Sequence, residues 1–129
     1  MLDFSFSKKE KLKSKKRIEQ LFSEGKSISV YPIRVLYLKT NLPEGVTFQT
    51  GVTVPKRNFK SAVKRNQIKR LLRESYRLNK HLIFNNLKGN YTYMFLYLGK
   101  EIPLFHSLEK SMVAVMKKLI LKESHEKIN

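Results

Sequence analysis

The chain has no cysteine, a single aspartate (Asp3) and nine glutamates scattered along 129 residues. Without cysteine there is no disulfide framework and no thiolate metal site. Without clustered carboxylates there is no obvious two-metal nuclease centre. His81, His106 and His125 share no metal-ligand spacing, and no Ser/His/Asp set has a recognisable context. The five glycines form neither a Walker loop nor G-x-G-x-x-G. No apolar run approaches the roughly 18 residues needed to span a bilayer. The opening MLDFSFSKKEK lacks a signal peptide's order of basic, apolar and small residues, so a cytoplasmic location is expected.

What the chain has is positive charge. Lysine and arginine total 27 against 10 acids, a formal net charge of +17. The excess is concentrated. Residues 56–80 hold ten cations against Glu74, and residues 8–17 hold seven against Glu10. These two stretches supply +15 of the +17. Such an imbalance in a chain of one-domain length points to a polyanionic partner.

The pattern is α+β, in the order αβββαβα. Residues 1–13 read as a flexible basic tail, 14–124 as one domain and 125–129 as a C-terminal tail. From Ser14, the spacing of Ile18, Leu21 and Phe22 predicts a short amphipathic helix that stops at Gly25. SISVYPIRVLYLKT suits extended structure, with Pro32 either breaking the strand or lying at an edge. VTFQTGVTV alternates as a strand. YTYMFLYL (91–98) is apolar on both faces and therefore central. Leu108, Met112, Val115, Met116 and Leu119 predict a final helix from Ser107.

The stretch AVKRNQIKRLLRESYRLNK (62–80) predicts one helix with Ser61 as N-cap. On a helical wheel Ile68, Leu71, Leu72, Ser75 and Leu78 share one arc. Arg65, Asn66, Lys69, Arg70, Arg73 and Arg77 share the opposite arc. Burying the first arc aims the second outward. A merely solvated face would mix Glu with Lys at i, i+4, and here only Glu74 opposes the cations. Arginine forks suit phosphate oxygens. Tyr76, at the edge of the basic arc, is either a stacking platform or a packing residue. The strand aromatics Tyr31, Tyr37, Phe48, Tyr91, Tyr93, Phe95 and Tyr97 are mostly core, with some open to stacking bases. The chain reads as a nucleic-acid binder with no chemistry of its own. No helix-turn-helix spacing supports duplex DNA.

These residues resemble a known family. Ala62, Val63, Arg65, Asn66, Lys69, Arg70, Arg73 and Glu74 match the pattern A-V-x-R-N-R-x-K-R-x-x-R-E of the bacterial ribonuclease P protein subunit. KLKSKKRIEQLFSEGKSIS, RVLYL, GVTVPKRNFKSAV and SLEKSMVAVMKKL are similar to its other segments, in order. Departures are Gln67 for the second arginine of the motif, Ile18 for a common aromatic, a longer pre-helix loop without its usual glycine, and a last strand that lacks a terminal arginine.

The resemblance implies a single-domain α/β sandwich with a left-handed β-α-β crossover. It implies a protein that is not itself the catalyst. A large RNA using bound Mg²⁺ would cleave precursor tRNA to free its mature 5′ end. By the same resemblance, Arg65, Asn66, Lys69, Arg70, Arg73, Lys56 and Arg57 contact the catalytic RNA. Phe22 and Tyr37 stack leader nucleotides, with Lys13, Lys16 and Arg17 near the phosphates. Tyr37→Ala is then expected to weaken leader-bearing substrate selectively, by ~1–3 kcal/mol. A ribosomal or chaperone-like RNA-binding protein is the alternative.

Overall fold

The strongest strand signal, Tyr91–Tyr97 (β4), lies inside a four-stranded sheet. The computed structural model describes residues 5–128, with side chains described to residue 124. Strand order is β1-β2-β4-β3, with β1 Lys26–Val30, β2 Ile33–Lys39 and β3 Phe48–Thr53. β4 runs antiparallel to β2, pairing Val35 with Phe95, and parallel to the edge strand β3, pairing Gly51 with Met94. Pro32 breaks the first extended run in two. The Tyr31–Pro32 bond is cis and makes the two-residue turn between β1 and β2.

Alternation along β4 sends its side chains to two cores. Tyr91, Tyr93, Phe95 and Tyr97 enter the main core beneath α2 (Ala62–Asn79), α3 (His81–Asn86) and α4 (Phe105–Ile128). Met94 enters a smaller core with Leu12 and Leu21 beneath α1 (Lys15–Glu24). The chain is therefore a sandwich with helices on both faces of one sheet. The five apolar residues predicted for α4 are all buried. Ser14 and Ser61 cap α1 and α2, accepting from the N–H groups of Arg17 and Lys64. α1 ends where the Gly25 backbone turns extended, and only glycine fits there, since a Cβ would lie 2.3 Å from the Leu21 carbonyl oxygen.

Three expectations are corrected. The order is αβββααβα, because α3 follows α2 directly; six residues are too few to carry a period. α4 continues to Ile128, past the expected domain end at 124. Residues 5–13, expected to belong to a flexible tail, form a strap on the sheet edge. A 3₁₀ turn spans Lys8–Glu10, the Leu12 N–H donates to the Thr50 carbonyl at 3.0 Å, and Leu12 is buried. Asp3, like the rest of 1–4 and Asn129, lies outside the described residues, as does the side chain of His125.

Tyr76 packs on the sheet and is not a stacking platform. Its ring lies 5.5 Å from that of Phe95, and the Thr50 hydroxyl donates to its oxygen at 2.9 Å. Burial holds its phenol far above the ordinary range. Tyr76→Phe leaves the Thr50 hydroxyl buried without its acceptor. We expect a loss of ~1–3 kcal/mol in denaturant unfolding, with the slope unchanged.

Candidate nucleic-acid interface

α2 buries Ile68, Leu72, Ser75 and Tyr76. Tyr76 widens the buried arc beyond the wheel reading. Arg65 and Lys69 flank that arc and are half-buried, while Asn66, Gln67, Arg70 and Arg73 are exposed. Among the described residues no ion pair holds Lys69, Arg70 or Arg73. Helix packing thus fixes a row of available cations on an 18-residue rod. Lys56 and Arg57 are exposed in the loop that enters the helix.

Both ends of the predicted stripe have other partners. Arg65 Nη1 donates to the carbonyls of Phe59, at 2.6 Å, and Lys60, at 2.9 Å. It thereby ties down the loop that carries Lys56 and Arg57. Arg77 pairs with Glu74 at 2.5 Å, and this hydrogen bond holds the Glu74 carboxyl below its usual range. Lys80 turns inward and is 4% exposed. Arg65→Ala is therefore expected to cost stability as well as binding. We expect ~1–2 kcal/mol from lost charged hydrogen bonds. Arg70→Ala, made in parallel, should leave thermal unfolding unchanged.

A hollow of about 280 Å³ opens where α1 stops short of the β3 edge. Phe6, Leu12, Ile18, Gly51, Val52 and Met94 form its apolar lining, and Lys11, Lys13 and Arg73 supply its cations. A Cβ on Gly51 would lie 3.0 Å from Met94 Cε, so the glycine keeps the lining open. Phe22, one turn beyond Ile18 on α1, is 52% exposed. Lys16 is exposed and Arg17 half-buried on the same helix. Arg73 belongs both to the α2 row and to the hollow. The two surfaces are continuous around the β3 edge.

Tyr37, expected beside Phe22, is not there. It is 1% exposed and belongs to the main core, on the face of the sheet opposite α1. Strand alternation decides this: Leu36 and Leu38 face α1, so Tyr37 cannot. Of the seven strand aromatics only Tyr31 is exposed, and it lies in the β1–β2 turn. Sequence reading missed Lys11, Gly51 and Met94. Only Gly51 left a signal, an isolated glycine inside a strand pattern.

No group of three or more His, Asp or Glu among the described residues is placed to hold a metal ion. No helix there is long and apolar enough to cross a membrane. The family model described as Ribonuclease P matches residues 6–120. The chain belongs to the ribonuclease P protein family.

Its relatives in that family match it over most of their length. It is 40% identical over 112 residues to the ribonuclease P protein component of Porphyromonas gingivalis, covering 84% of this chain and 82% of that one. It is 34% identical over 118 residues to the component of Caldanaerobacter subterraneus, covering 91% and 95%. The RNase P protein of Staphylococcus aureus shares its fold with a TM-score of 0.69 at 21% identity, covering 85% and 94%. That of Thermotoga maritima does so at 0.68 and 23%, covering 84% and 96%. Family membership sets aside the ribosomal or chaperone-like alternative. The chain is the protein component of an endoribonuclease that acts in tRNA 5′ processing.

Proposed function

We propose that the outward row of α2 binds the catalytic RNA of ribonuclease P, and that the hollow beside it receives the 5′ leader of precursor tRNA. The observation that carries this reading is Arg73, which belongs to both surfaces. A duplex or folded RNA docked on Asn66, Lys69, Arg70 and Arg73 would hand a single strand directly to Lys11 and Lys13. Lys56 and Arg57, fixed through Arg65, extend the phosphate-binding row beyond the helix. The apolar lining and the exposed ring of Phe22 offer stacking surface to unpaired bases. Lys16 and Arg17 add positive charge along α1.

In this reading the protein does no bond-breaking. The Mg²⁺ that drives phosphodiester hydrolysis is held mainly by the RNA. The protein screens phosphate repulsion between two RNAs and fixes where the leader runs. A cytoplasmic location follows from that role.

Phe22→Ala tests the leader contact. We expect precursor tRNA with a leader to bind ~1–3 kcal/mol more weakly. Mature tRNA and the melting temperature should be unchanged, because Phe22 is mostly exposed. Equal losses for both RNAs would contradict the assignment.

A further inference from the structure

Lys80 ends the most basic stretch of the chain, yet it faces inward. Its ammonium pairs with Glu10 at 2.9 and 3.0 Å to the two carboxylate oxygens, and it also donates to the Ser5 carbonyl. Glu10 accepts from the Ser7 N–H at 3.0 Å, so the carboxylate joins the anchor to the turn of the strap. We infer that Lys80 and Glu10 are positioning residues, whose ion pair holds the N-terminal strap so that Lys11 and Lys13 face Arg73 across the hollow. The inference rests on the hollow being the leader site.

The charge distribution explains why such an anchor is needed. Glu10 is the one acid in residues 5–13, among Lys8, Lys9, Lys11 and Lys13. The strap lies against a helix that carries Arg73, so like charges push it away. Its apolar hold is small. Leu12 is buried, and the Phe6 ring lies 5.4 Å from that of Tyr76. Its sheet hydrogen bonding is also slight: the Leu12 N–H bonds Thr50, and Gln49 Nε2 donates to the Lys9 carbonyl at 3.2 Å. Lys80 grips two points of the strap from the end of α2. Lys80 is buried and Glu10 partly so. Removing Glu10 leaves a buried ammonium short of its counter-charge, and removing Lys80 takes away both of its holds on the strap, so loss of either partner releases the strap. Lys11 and Lys13 then leave the hollow.

The test uses the full chain assembled with ribonuclease P RNA. Affinity for precursor tRNA with a leader and for mature tRNA is measured across a potassium chloride series, for wild type, Lys80→Met, Glu10→Gln, the double variant and Lys80→Arg. Each of the first two should lower the log–log salt slope for the precursor by about 1.4, two single-strand phosphate contacts at ~0.7 each. The preference for the leader should fall about tenfold. The double variant should be no worse than either single one, and Lys80→Arg should retain most of the wild-type slope. Should Lys80→Met fail to fold, Glu10→Gln carries the same comparison. A wild-type slope and preference in folded Glu10→Gln would overturn the inference, as would equal losses for both RNAs. Wild-type protein with no leader preference would overturn the underlying leader-site reading, and the inference with it.

Discussion

Replacing Lys69, Arg70 and Arg73 together with alanine is expected to weaken assembly with the catalytic RNA by roughly a thousandfold. Each charged hydrogen bond to phosphate is worth about 1.5 kcal/mol at the low end, and three such losses amount to about three decades. The log–log salt slope should fall by about 2.7 if all three contact duplex phosphates. Stability should not fall. Alanine is the best helix former, and none of the three side chains is fully buried. Removing like charges from one helix face also relieves repulsion. The prediction is therefore a folded protein, with unchanged or raised melting temperature, that no longer assembles. An unchanged slope would mean that the row faces something other than phosphate.

Tyr37→Ala is expected to do the reverse. The side chain fills the main core at 1% exposure. Truncating a buried aromatic to alanine costs ~3–5 kcal/mol. A domain of this size has only about 5–15 kcal/mol in total. The melting temperature should drop by about 10–20 °C. Binding of every RNA should fall in proportion to the unfolded fraction, with no selectivity for the leader. A folded variant with a leader-specific defect would contradict the burial of Tyr37.

The contrast between these two variants shows what the sequence made legible. The α2 row could be read in advance because a 3.6-residue period and a run of unopposed cations are both local signals. The central position of β4 was legible because both of its faces are apolar. Tyr37 was misplaced because a strand offers two faces, and a motif match does not say which one meets α1. The partners of Arg65, Arg77 and Lys80 show a related limit. A count of cations does not distinguish a free guanidinium from one bound to a nearby carbonyl. The strap was misread for the same reason: KKEKLK looks solvated until Leu12 is seen on Met94 and Glu10 on Lys80. The hollow was invisible because its lining comes from five elements: the strap, α1, β3, α2 and β4.

The central claim is that this protein lends binding surface to an RNA catalyst. The most direct measurement is reconstitution. Purified protein, matched ribonuclease P RNA and end-labelled precursor tRNA are combined at low Mg²⁺, and release of the 5′ leader is followed. Each component is also tested alone. The account predicts cleavage at the mature 5′ end only when protein and RNA are both present, and its loss in the Lys69/Arg70/Arg73 triple variant. Cleavage by the protein alone, surviving removal of all RNA, would contradict it, and so would no stimulation of the matched RNA.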